Sequence, residues 1–147
     1  STGVKTLNIA TGAAANVVTL GTTNGAASLT LQSGTGGIQF TGGQKNSITT
    51  VASAATPYAV LGSDYYITTD TTGGVLTLTL PASPATGRQV VVYDGVGQAA
   101  INNITIDGNG KSIAMSATSA GTKTITTAYG SAILTYNGTL WLGQRVA

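Results

Sequence analysis

The groups able to do chemistry in this chain are few: four carboxylates, many hydroxyls and a handful of isolated cations. There is no His, no Cys and no Glu, and the only acids are Asp64, Asp70, Asp94 and Asp107. A Ser or Cys nucleophile needs a base such as His to take its proton, and Lys111 beside Ser112 has no supporting pattern. Two carboxylates are enough to hydrolyse a glycoside, so the aspartates are the serious enzymatic candidates. Asp94 and Asp107 each precede a glycine, where Asp hydrogen-bonds its own backbone in a turn. Asp64 and Asp70 flank a single strand-like run. All four therefore read as structural, and no catalytic residue is expected. Asp107-Gly108-Asn109-Gly110 spaces oxygen ligands alternately but lacks the bidentate Glu of a calcium loop, so it also reads as a turn. Gly34-Thr35-Gly36-Gly37 has no following Lys-Ser/Thr pair and no helix, which removes a phosphate loop. Neither a metal nor a cofactor is expected.

Binding by large side chains is a different matter. Tyr58, Tyr65, Tyr66, Tyr93, Tyr129, Tyr136 and Trp141 make up most of the bulky residues present. Tyr and Trp give wide contact area at low entropy cost, but a chain this poor in bulk needs them for its interior as well. Trp141 and Tyr93 are assigned to the interior. Tyr65 and Tyr66 are adjacent in a strand-like run, so they point to opposite faces. The candidates for receptor contact are Tyr58, Tyr66 and the loop Asn137-Gly138. The sequons Asn103-Ile104-Thr105 and Asn137-Gly138-Thr139 coincide with turns and read as incidental.

Charged residues are 7% of the 147, against roughly 25% in average globular proteins. With 41% apolar residues the chain is too hydrophobic and too weakly charged to stay disordered. The net charge of +2 rests on Lys5, Lys45, Arg88, Lys111, Lys123 and Arg145, no two of them adjacent, so there is no footprint for a nucleic-acid backbone. Without Cys, neither a disulfide nor a thiolate metal site holds the fold. Apolar runs fall far short of the ~20 residues of a membrane-spanning helix, so no membrane insertion is expected. The start, Ser1-Thr2-Gly3, shows no signal-peptide pattern and reads as a piece of something longer.

The elements that must position these side chains have two textures. Leu7/Ile9, Val18/Leu20, Leu29/Leu31 and Ile38/Phe40 are apolar pairs that begin 11, 11 and 9 residues apart, separated by Gly/Thr/Asn turn chemistry. Each pair suits one face of a short strand, and the set reads as a β-repeat. Each unit buries two large side chains, worth roughly 1.5–3 kcal/mol apiece. Ordering its backbone costs about 1–2 kcal/mol per residue. Such units need neighbouring chains to close a core; the plainer alternative is a flexible Gly/Ala/Thr linker. A polar neck is expected from about Gln44 to Pro57. Longer strands follow: Asp64 to Thr69, then Val75 to Leu80 with Leu76, Leu78 and Leu80 on one face. Next come Gln89 to Tyr93 (apolar enough for cover on both sides), Ile104 to Ile106, Ser112 to Met115 and Thr124 to Thr127. Asn137-Gly138 between Ala132–Tyr136 and Thr139–Leu142 signals a type I′ hairpin.

Five stretches resemble a module found at the ends of bacteriophage tail fibres and related viral or prophage proteins. They are Leu7-Asn8-Ile9-Ala10-Thr11-Gly12, Leu78-Thr79-Leu80-Pro81, the pair Gly87–Gly95 and Asn102–Gly108, and the closing Leu134–Trp141. The resemblance implies a parallel homotrimer, exposure on a virion and attachment to a host-surface glycan or protein receptor. The absence of His departs from the ion-binding fibre tips. Taken together, the expected fold is all-β: a short β-repeat shaft and neck over residues 1–52, then an antiparallel β-sandwich head over residues 53–147, in an intertwined homotrimer. The rival readings are a glycan-degrading tailspike fragment and a bacterial surface adhesin or filament subunit.

Overall fold

The computed structural model describes residues 31, 33 and 35–146. The chain divides into two compact units, residues 1–44 and 45–147. The apolar pairs Leu7/Ile9 and Val18/Leu20, and Leu29 of the third pair, lie outside the described residues. Ile38 and Phe40 were expected in a strand of the shaft; they lie outside any strand and are 47% and 64% exposed. Among the described residues, no strand of the first unit lies beside this two-residue apolar face.

The second unit is all-β. Its strands are β1 Ile48–Ala52, β2 Tyr58–Ala59, β3 Tyr66–Asp70, β4 Leu76–Thr79, β5 Gln89–Asp94, β6 Ile104–Asp107, β7 Ile113–Met115, β8 Thr118–Ala120, β9 Thr122–Ile125, β10 Ser131–Tyr136 and β11 Trp141–Val146. They form a seven-stranded sheet in the order β1-β3-β5-β10-β11-β7-β8 and a four-stranded sheet in the order β2-β4-β6-β9. From β1 to β7 the chain changes sheet at every strand. Strands two apart in sequence therefore come to lie side by side and run the same way: β1 with β3, β3 with β5, β2 with β4 and β4 with β6. The sheets are mixed, which corrects the expected antiparallel head. Period-two patterning specifies which side chains share a face but not the direction of the neighbouring strand. That direction follows from a crossover through the other sheet.

The C-terminal hairpin β10–β11 enters between β5 and β7, with β10 antiparallel to β5 and β11 parallel to β7. Tyr136 faces Trp141, so the connection is the four residues 137–140 rather than a two-residue type I′ turn, and only Gly138 there has positive φ. Asn137 acts through its side chain, whose Oδ1 accepts from the Thr139 and Leu140 amides at 2.9 Å each. The two-residue hairpin with left-handed backbone is the one at Ser116 (φ 55°) and Ala117 (φ 62°), between β7 and β8. The supposed neck contains β1, which pairs along its whole length with β3. Val51 is its buried anchor.

Alternation is clean in the strands that build the core. Leu76, Leu78 and Leu80 are fully buried, as are Val90 and Val92, Ile104 and Ile106, and Leu134 and Trp141. Both sheets contribute to one hydrophobic cluster. Trp141 packs its ring 5.4 Å from that of Tyr136 at 55°, within the range of favourable tilted aromatic pairs. Strand β5 was expected to be covered on both sides; it buries only Val90, Val92 and Asp94, and Val91 and Tyr93 are half-exposed on the other face. Replacing Leu78 with Ala is expected to lower the unfolding free energy by about 2–5 kcal/mol. Val75→Ala, at a site 61% exposed, is expected to stay within about 0.5 kcal/mol of the parent in the same urea titration.

Candidate functional site

The four aspartates are built into the structure. Asp94, fully buried at the end of β5, organises the loop after it: Oδ1 accepts from the amide of Gly97 (3.1 Å), and Oδ2 from those of Ala99 (2.9 Å) and Tyr129 (3.0 Å). One carboxylate thus ties the β5–β6 connection to the β9–β10 connection. Gly97 (φ 73°) lies under the Tyr129 ring, where a Cβ would approach Cζ to 2.6 Å. Asp64, also buried, accepts from the Thr49 hydroxyl (2.8 Å), the Tyr58 hydroxyl (2.9 Å) and the Leu61 amide (2.8 Å). Asp70 accepts from the Thr72 amide and Asp107 from the Asn109 amide, at 2.9 and 2.8 Å. The backbone amide on the exposed Asp70 carboxylate holds its pKa below the ordinary value.

The candidate contact residues fall in different places. Tyr58 sits on β2, half-buried, and packs against the core with its hydroxyl on Asp64. Burial, and then the neighbouring carboxylate, raise its pKa above the usual phenol value. Tyr66 opens β3 on the exposed face of the seven-stranded sheet, its ring 6.5 Å from that of Tyr93. Tyr93 is half-exposed there, which corrects its assignment to the interior, whereas Trp141 is buried. Asn137 and Gly138 are exposed in the β10–β11 loop, and a Cβ on Gly138 would lie 3.1 Å from Thr86 Oγ1. Arg88 joins two of these regions: Nη2 donates to the carbonyls of Leu61 (3.0 Å) and Asp64, while its own carbonyl accepts from the Tyr136 amide (2.9 Å).

Tyr66 belongs to a larger feature. The registers place Ile48, Tyr66, Val91 and Ile133 side by side across β1, β3, β5 and β10, all on the face turned away from the core. Ile48 is 66% and Ile133 40% exposed, and Leu142 on the same face of β11 is 49% exposed. Tyr93 lies one position along from Val91 on this face, and the other side chains of β3, β5 and β10 there are Thr68, Asp70, Gln89, Ser131 and Thr135. Asp70, at the end of β3, is the one charge among them. No single residue type announced this row. It exists because four short strands from distant parts of the sequence fall into register.

A second feature surrounds the β7–β8 hairpin. β11 is paired to β7 only at Trp141 and Leu142, so Gly143 onward has a strand neighbour on one side only. Two grooves open here. One of about 420 Å³ is lined by residues 114–119 and Gly143, and one of about 290 Å³ lies between the hairpin, β9 and Arg145. Lys123 pins the hairpin, its Nζ donating to the carbonyls of Met115 (3.1 Å) and Thr118 (3.0 Å) and to the Thr118 hydroxyl. Among the described residues no cluster of three or more acids could hold a metal. No protein-family model and no curated protein matches the sequence.

Two outcomes follow from the carboxylates. Asp94→Asn leaves amides facing a neutral amide in a buried site, and is expected to cost about 3 kcal/mol by urea unfolding. Tyr58 has a folded pKa raised above the unfolded value of 10.0. The stabilisation linked to it is therefore complete below that value and lost as pH rises through the folded one. Titration of tyrosinate absorbance should show a late-titrating phenol that is lost in Tyr58→Phe.

Proposed function

We propose that this chain is a non-catalytic module of a trimeric viral fibre, of the phage-tail kind, which holds three chains together and touches the host cell surface through a glycan or protein receptor. The observation that carries the reading is the row Ile48, Tyr66, Val91 and Ile133, an apolar stripe on a nearly uncharged sheet face. Monomeric soluble proteins rarely expose large contiguous apolar patches, and such patches mark interaction surfaces. A second and third copy of the chain would cover this face without needing charge complementarity. Ile38 and Phe40, exposed in the first unit, ask for cover in the same way.

The shared hydrophobic cluster of the two sheets supports a sandwich as the arrangement of the head. The use of all four carboxylates in backbone or hydroxyl hydrogen bonds supports a passive role, with attachment by several individually weak contacts. Such a module would be displayed on the virion, outside the cell. Light scattering on the full chain is expected to give a mass near three times 14.5 kDa that resists dilution. Ile133→Lys, which sets a charge in the middle of the row, should release monomers while the far-ultraviolet circular dichroism stays that of a β protein. A folded monomer for the parent chain at every concentration would remove the reading.

A further inference from the structure

We propose that the groove between the β7–β8 hairpin and β9 is a binding site for an acidic saccharide, with the Arg145 guanidinium as the anion-recognising group. The proposal rests on the receptor-contact part of the fibre reading and adds to it a place and a ligand class.

The lining sets the chemistry. The groove, about 290 Å³, presents the hydroxyls of Ser116, Thr118, Thr122 and Thr124 together with Lys123 and Arg145. Hydroxyls donate and accept, which suits a ligand that is itself rich in hydroxyls. Among the described residues no aromatic ring lines the groove, so they offer no stacking platform for a neutral sugar face. Both charged side chains are cations, and among the described residues no carboxylate lines the groove to neutralise them.

The two cations are not equivalent. An ammonium has three donors, and those of Lys123 meet three acceptors within the hairpin. Lys123 therefore adds positive potential but no spare donor. Arg145 has five N–H groups. Its Nη2 is held by the hydroxyls of Thr126 (3.2 Å) and Thr127 (2.8 Å), its Nε is buried with no acceptor, and Nη1 has no partner among the described residues. The guanidinium is oriented from one side by neutral hydroxyls and has no acidic partner among the described residues. A planar, fixed guanidinium is suited to a carboxylate.

The backbone points to the same place. Ser116 and Ala117 both adopt left-handed conformations that are disfavoured for residues with a Cβ and cluster at functional sites. The Lys123 contacts on both sides of that turn hold it in place. The departure of β7 from β11 after Ala114 leaves the room that the grooves occupy. The volume is at the small end of ligand sites and suits a single sugar unit.

The test is an amide NMR titration of the full chain with methyl glucuronide, methyl glucoside and sulfate. The expected result is saturable shifts over Ser116–Thr124 and at Arg145 with the glucuronide, about tenfold tighter than with the glucoside or with sulfate. Arg145→Gln should abolish them, as should Thr122→Glu, which puts a negative charge at an exposed groove position; Lys111→Gln should leave them intact. Equal binding of the glucoside, shifts that survive Arg145→Gln and Thr122→Glu, or no saturable shift would overturn the site. Sulfate binding as tightly as the glucuronide would overturn the saccharide assignment. Light scattering on the same samples separates this from the fibre reading, which falls only if the parent chain is monomeric.

Discussion

Each strand here is short and presents only every second side chain to the core, so the molecule depends on two sheets burying their apolar faces in one cluster. Leu76 and Leu78 from one sheet and Val90, Val92 and Leu134 from the other are all fully buried. None of these strands exceeds six residues. A two- or three-residue apolar face contributes too little to order its own segment against a backbone cost of about 1–2 kcal/mol per residue. The alternation of the chain between sheets answers this: every crossover adds a strand to each sheet in turn, and the core grows from both sides.

The same economy governs polar groups. With so few charges, the fold secures its loops by directing buried carboxylates onto amides and hydroxyls. Asp94 gathers donors from two connections, reaching the Tyr129 amide 35 residues away in sequence. Asp64 does the same for β1, β2 and the loop before β3. A carboxylate satisfied in this way gains charge-assisted hydrogen bonds without the desolvation of a second ion. The cations are consequently left to other tasks. Lys123 and Arg88 clamp carbonyl groups, and Arg145 is held by hydroxyls at the edge of a groove.

The face that remains uncovered is as informative as the core. In the seven-stranded sheet, the side turned away from the cluster carries threonines, tyrosines and branched aliphatics where a solitary protein would carry lysines and glutamates. That composition supports the oligomeric reading, and Tyr66 and Tyr93 lie on this same face with their rings 6.5 Å apart rather than as separate contact points.

The sequence by itself determined the class and the faces. A chain without helical periodicity and with alternating runs at residues 76–80, 104–106 and 132–136 can only bury those residues as strands, and the Asp-Gly turns and the closing hairpin were legible for the same local reason. Strand direction, the four-residue form of the last loop, the membership of Ile48–Ala52 in the main sheet and the exposure of Tyr93 were not legible. Each depends on which distant strand lies alongside, and period-two patterning carries no information about a partner's identity or direction. The row across β1, β3, β5 and β10 and the groove beside Arg145 belong to this second kind. Tertiary register alone decided them, because it joins residues whose sequence separations no local pattern encodes.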